Sequence, residues 1–545
     1  MKTTKRLTAI VLAALAFGAC QKENLLNPDS DLGGRLILEA EGMNGAKLAI
    51  NGNTSHWASG DEVWINNHTY TVDLSESGQA TVDVKGDNIE APLYGVYPNS
   101  IFSLRSSNNV TVALPASYTY ATCTDGGNTR QNLQSPMMAY AADGNKLVFK
   151  HLTAAVTVEI TNDFGIDLQV TSITVSSNLY KLNGSRTFDI TNIVHDATAA
   201  DTALAATDGE KTVTMNCNST PLIVASGQTK QVQVPVLPVG LRNKFTITVN
   251  AKNPDDGDMT YTFTKTQASS GHALLRAQLG YAPAKFGGKF SIGSGNYVRV
   301  APGNLQYQAS TGTWRFAKHQ YDVIGDDNKY IASDYSGWID LFGFGTSGWD
   351  AGVAGYVDNH YATRAYQPYE TNAGQQNYLN HDMSGDYAEA DWGWHNAISN
   401  GGNQTHMWRT METGLHTYND YTSGKVNGMP GVIILCEGYS HPLATPLNTT
   451  YSNDYSNNTI TAEDWAKMEV AGAIFLPAAG LRGEPGVQIW GADGTLFTER
   501  KFWGFYWYAN SITDIMAASL NTHEMYSSMS FYKCAGCAVR LVRAD

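Results

Sequence analysis

From Arg35 to about Gly280 the chain is written in short stretches that alternate apolar and polar residues, each closed by turn formers. The stretches lie at 36–41, 62–65, 80–84, 110–114, 146–149, 156–160, 211–215, 231–234, 244–249 and 259–263. Side chains two apart share a face of a strand, so each stretch buries one face and wets the other. The pattern predicts half-buried antiparallel strands stacked as β-sandwiches. Two such units fill the segment, at 35–163 and 164–284, with a joint near residues 162–166. At 545 residues the chain is too long for a single core, because cores stop growing at about 250–300 residues.

Composition narrows the class further. Charged residues make up 16%, below the roughly 25% of an average soluble protein, and Gly and Tyr are abundant, as in a turn-rich β protein. The formal charge is -14 and no basic run could follow a phosphate backbone, which argues against a nucleic-acid partner. At the N-terminus, Lys2, Lys5 and Arg6 precede an apolar run at 7–17, and Gly18-Ala19-Cys20 follows. That is the layout of a removed signal, since a membrane span needs about 20 helical residues. The small residues before Cys20 resemble the lipobox of bacterial lipoproteins, which implies lipidation of Cys20 and attachment to the outer membrane. The alternative is an ordinary secreted protein with Cys20 at the junction. Residues 1–19 then form the signal and 20–34 a polar tether.

Beyond residue 285 the texture changes, and ten of the twelve Trp lie between Trp314 and Trp507. One helix is well marked: Thr461 can cap it, Asp464 follows three residues on, and Trp465 and Met468 share a face before Gly472. A buried strand is expected at 473–476 and a last one at 538–542.

The first half resembles the fimbrillin (FimA-type) pilins through His56-Trp57, Gly60-Asp61, Tyr97-Pro98, Leu114-Pro115, Ser135-Pro136-Met137-Met138 and residues 147–156. The resemblance implies two tandem β-sandwiches, a lipoprotein precursor, and assembly with other fimbrial subunits by donor-strand exchange. The second half, 285–545, resembles the C-type-lectin-like and formylglycine-generating-enzyme-like fold, a mixed α+β domain. The marks are 303–307, 313–316, 335–349, Asp391-Trp392-Gly393-Trp394, 396–403, Trp408-Arg409-Thr410, 465–480 and 539–542. The sequence departs from that pattern at 411–416 and 504–509. The expected architecture is thus mainly β, with two sandwiches followed by a lectin-like domain.

Catalytic constellations are missing from the sequence. His523-Glu524 lacks the second His of a helical zinc site, and neither a Walker loop nor a G-x-S-x-G elbow is present. Cys534-Ala-Gly-Cys537 reads as a redox pair, half a zinc site, or small buried residues, the last being the simplest. Asp255-Asp256-Gly257-Asp258 could hold Ca²⁺, but is more simply a hairpin loop. The expectation is a non-enzymatic protein with no cofactor and no metal site.

A ligand would meet residues that combine flat apolar faces with directional polar groups. Asp391, Trp392, Trp394 and Asn396 supply these, with Arg409 beyond a Gly turn and Trp349-Asp350 in a loop that could converge on them. The polar members are the better candidates, because Trp in a Gly-rich fold mostly fills the core. The expected role is adhesion as a tip or minor fimbrial subunit, binding a host or microbial glycan or protein. A stalk pilin donates its C-terminal segment, whereas here about 260 residues of a further domain occupy that end. The alternative is a stand-alone glycan-binding lipoprotein for nutrient capture. Any maturation cut is expected at Arg35, which closes Gly33-Gly34-Arg35 before the first strand.

Overall fold

The computed structural model describes residues 34–544 apart from 42–43, 46–56, 58, 100–101, 105–108, 126–127, 133–134, 195–207, 241–243, 268–272, 330–333, 350–381, 412–414, 416, 452–454, 484–485, 489–503, 510–518, 521–524 and 527–535. Cys20, Asp350, His523 and Cys534 lie outside the described residues. The chain is mainly β, built from many short sheets.

The first group is an eight-stranded sheet that includes Arg35–Ala40, Glu62–Ile65, Leu93–Tyr97, Met137–Ala141 and Lys146–His151. Alternation does what the sequence expects: Leu36, Leu38, Val63, Ile65, Val82, Leu147 and Phe149 turn to one cluster. Trp57 fills its centre, edge-on to Phe149 at 5.0 Å and to Tyr97 at 5.1 Å. A side chain at Gly95 would stand 2.6 Å from the Phe149 ring, so the strand needs Gly there. The opposite face places Val96 and Met138 against a three-stranded sheet of Phe102–Leu104, Asn109–Leu114 and Gly184–Asp189.

The second group packs a six-stranded sheet on a four-stranded one, with Val158, Ile160, Ile173, Val175, Val234 and Val249 between them. The strand Ala154–Asp163 pairs along its length with Thr229–Val236 and Gln278–Gly287, so it already belongs to this second group. The expected joint at 162–166 therefore falls after its first strand. Exchange runs both ways: Ser117–Thr119 pairs forward with Thr212–Asn216, and Gly184–Asp189 pairs back with Asn109–Leu114. Alternation marks a strand but not its partner, and the interleaving was invisible to it.

In the C-terminal region an early strand pairs with the last one. Asn296–Val300 lies antiparallel to Leu541–Ala544, which also pairs with the short Arg409–Thr410, and Phe290–Gly293 completes the sheet. Register sorts its two faces. Arg299, Arg543, Leu541 and Thr410 stand on one face, and Val298, Val300, Val542 and Arg409 on the other. A second sheet carries the helix Ala462–Val470, which begins where expected: Thr461 Oγ1 accepts from the Asp464 N–H at 3.1 Å. Trp465 packs on Phe475 beneath it, with ring centroids 5.6 Å apart.

The expected last strand at 538–542 is divided. Cys537–Ala538 pairs with Leu341–Phe342, and Leu541–Ala544 joins the other sheet. Between them Arg540 is fully buried. It donates to Asn304 Oδ1 at 3.0 Å, the Ala301 carbonyl at 3.1 Å, Gln320 Oε1 at 3.2 Å and the Phe475 carbonyl at 2.8 Å.

The second sandwich and the C-terminal region share one apolar cluster, which runs from Val158 and Ile173 to Trp314, Trp392, Trp408 and Leu541. The Trp408 ring lies so close over Gly165 that a Cβ there would come within 2.5 Å. Polar contacts surround this seam. Asn253 Nδ2 donates to the Asn400 carbonyl at 2.7 Å, and the Gly402 N–H donates to Asp255 Oδ2 at 2.7 Å. Asp163 meets Lys285 at 3.1 Å and Arg299 at 3.4 Å. The acidic 255–258 loop is thus a hairpin tip used for docking, with Asp258 3.7 Å from Lys318.

Candidate functional site

The residues expected to meet a ligand fall into two groups. Asp391 and Trp392 are buried. Asp391 caps the short helix Trp392–His395: Oδ1 accepts from the Gly393 N–H at 3.0 Å, and Oδ2 accepts from the Thr410 N–H at 2.8 Å. Burial pushes its carboxyl up to about 6, while these backbone donors pull the other way. Both oxygens are thus engaged inside the protein, tying the helix to the strand Arg409–Thr410. Trp392 sits in the large core and donates from Nε1 to Thr346 Oγ1 at 3.3 Å. Neither side chain faces solvent, and the expectation that Asp391 would touch a ligand gives way to a role in holding the loop. The tendency of Trp to fill cores explains the outcome for Trp392, but nothing in the sequence marked Asp391 as inward.

Trp394 and Arg409 stand outside that core, half-buried and exposed respectively. The Arg409 guanidinium carbon lies 4.0 Å from the centroid of the Trp394 ring, a stacked cation–π pair. His406 meets the same ring edge-on at 4.7 Å. Glu389 then fixes the neighbourhood: it stands 2.8 Å from His395 Nδ1 and 3.2 Å from His406 Nε2. The hydrogen bond from His395, ahead of that from His406, holds the Glu389 carboxyl below the usual range. Asn396 Nδ2 donates to the Ser347 carbonyl at 2.9 Å, and the Trp349 N–H donates to Ser347 Oγ at 3.2 Å. Trp349 packs edge-on to Tyr387 with centroids 6.1 Å apart. Ser347 therefore draws Trp349 and Asn396 together beside the helix.

On the other side of Arg409 a cleft of about 570 Å³ opens over one face of the four-stranded sheet. Val298 and Val542 line it from the two middle strands. Ile292, Asn296, Tyr297, Arg409, Met411 and Leu415 also line it. Apart from Arg409, the sequence did not single out these residues as ligand-binding candidates. The alternation at 296–300 and 541–543 was the available signal, but the register that puts both valines on the face of Arg409 is set by pairing between residues more than 130 apart.

Among the described residues no group of three or more His, Cys, Asp or Glu is placed to hold a metal ion. Cys537 is fully buried in its strand, and burial of that kind hides a thiol from reagents. Arg35 is exposed, but it is the first residue of a strand paired on both sides, and Leu36 after it is fully buried.

No family model matches the sequence, and no curated protein matches it. Solved structures show weak similarity. A provisionally assigned cell adhesion protein from Bacteroides uniformis is 17% identical, over 46% of this chain and 92% of its own, with a TM-score of 0.28. A fimbrial protein from Bacteroides vulgatus is 8% identical, over 46% of this chain and 95% of its own, with a TM-score of 0.22. A fimbrial protein from Bacteroides ovatus is 10% identical, over 94% of this chain and 99% of its own, also with a TM-score of 0.22. Likeness at this level fixes neither fold nor function.

Proposed function

We propose that this protein is a non-enzymatic adhesion subunit of fimbrial type, held at the outer membrane through Cys20, with the lectin-like region 285–545 presented outward by the sandwich pair. One observation carries the reading: the strand Leu541–Ala544 is committed to its own sheet. Leu541–Ala544 pairs on both sides, and Arg540 before it is buried with its donors engaged by four partners. Withdrawing such a strand to complement another subunit would strand a buried charge and several carbonyls, a cost of several kcal/mol (~3–5) for the charge alone. A subunit that keeps this strand suits the end of a fibre, where it accepts a neighbour and offers a binding surface. The Trp394–Arg409 pair and the adjoining cleft supply that surface.

Immunogold labelling of intact cells tests this. Label confined to fibre ends supports the reading. Label spread over cells that carry no fibres would instead fit a stand-alone glycan-binding lipoprotein.

A further inference from the structure

The cleft beside Arg409 says what kind of ligand it suits. Its lining is mixed but more apolar than polar: Val298, Met411, Leu415 and Val542, the exposed edge of a buried cluster, stand beside Asn296, Thr410 and Arg409. At about 570 Å³ the space admits one or two side chains of a peptide. Charge adds the second constraint. Among the described residues Arg409 meets no carboxylate, and its partner is the Trp394 ring. Stacking fixes the guanidinium plane yet leaves its N–H edge open, the arrangement that receives a carboxylate through two parallel hydrogen bonds. The ring is fixed in turn by His406, and His406 by Glu389.

We propose that this cleft binds a short segment of a partner protein in which a carboxylate adjoins an apolar side chain. Arg409 takes the carboxylate, and the sheet face takes the side chain. The proposal rests on the adhesion reading only for where the partner comes from; the chemistry of the cleft stands by itself.

Saturation-transfer NMR on the full chain tests it with small probes. N-acetyl-leucine carries a terminal carboxylate beside an apolar side chain, and the α-amide of N-acetyl-leucyl-aspartate, with only its terminal carboxyl amidated, carries a side-chain one. At least one should bind, and N-acetyl-leucinamide should bind at least about tenfold more weakly, as loss of a charge-assisted hydrogen bond requires. Whichever acid binds tighter identifies the source of the carboxylate. Arg409→Gln should erase the preference for acid over amide, with an unchanged melting temperature. Equal binding of acid and amide by the unmodified chain would overturn the proposal. So would glucuronate or N-acetylneuraminate binding as tightly as the leucine acids. A chain that binds these acids yet labels no fibre ends would leave this inference standing and remove the fimbrial reading instead.

Discussion

The first sandwich and the C-terminal region solve the same problem with different chemistry. Around Trp57 the strands carry the period-two pattern in their own sequence and turn apolar residues inward, and the region buries few polar side chains, chiefly Ser135, His151 and Arg186. In the C-terminal region Arg482, Arg540, Asp340 and Asp391 are all buried. Arg482 donates to the carbonyls of Asn328 at 3.0 Å and Leu341 at 2.6 Å. Asp340 accepts from Asn328 Nδ2 at 2.7 Å and from the Ile324 N–H at 2.9 Å. Sheet ladders satisfy the backbone of the first region. The short strands of the other leave loop carbonyls and N–H groups inside, and buried charged side chains take them up. Irregular backbone in the C-terminal region thus draws more charged side chains into its interior.

The largest expected effect breaks the tie between the C-terminal region and the second sandwich. Trp408→Ala removes a fully buried ring that packs over Gly165 and donates to the Gly401 carbonyl at 2.8 Å. It should cost ~3–5 kcal/mol. Hydrogen exchange should show protection lost on both sides of that seam and kept around Trp57; a loss confined to residues 385–411 would mean the two parts fold separately.

Acid should separate the regions by sign. Burial raises Asp340 and Asp391 to about 6 and Glu469 to about 7. Folding therefore tightens their hold on a proton, so their stabilisation is full below about pH 4 and is lost as pH rises through 6 to 7. His151 in the first sandwich behaves oppositely: burial lowers it to about 4. Its contribution is full above about pH 6.5 and is lost as pH falls toward 4. Each group is worth a few kcal/mol at most, because a tenfold change in proton affinity corresponds to about 1.4 kcal/mol. Region-resolved hydrogen exchange at pH 5 and pH 7.5 should show the C-terminal region favoured by the lower pH and the first sandwich by the higher. Parallel slopes would sink this contrast.

Asn253→Ala tests the docking hairpin. It deletes a fully buried amide that reaches the Asn400 carbonyl and accepts from the Asp255 N–H at 3.0 Å. A loss of ~1–3 kcal/mol in denaturant melts is expected, with faster exchange at 255–258 and 400–402. Smaller still is the effect of Arg409→Ala on stability, within about 0.5 kcal/mol, because the side chain is exposed. Asp391→Ala, by contrast, should lower the melting temperature, since two backbone N–H groups lose their acceptor.

Cleavage at Arg35 belongs to the same contrast. The bond after Arg35 enters a strand paired to both Lys146–His151 and Ala80–Asp83, so trypsin should cut it only as fast as that strand opens. Timed digestion with N-terminal sequencing checks this; an immediate cut at Arg35 on folded protein would contradict the pairing.

Much of the fold was legible because a strand is a local object. Alternation at 36–41, 62–65 and 146–149, and the Thr461 cap of the helix Ala462–Val470, depend on neighbours in sequence and were readable from them. Partnership is not local. The sequence alone could not say that Ala154–Asp163 joins the second sandwich, or that Asn296–Val300 finds Leu541–Ala544. The site follows the same division. Trp394 and Arg409 were visible as residue types suited to binding, but whether a carboxylate such as Asp391 faces water or the interior depends on which backbone donors the fold brings to it. Tertiary structure decided that question, because a buried N–H must find an acceptor and takes the nearest one, whatever its distance along the chain.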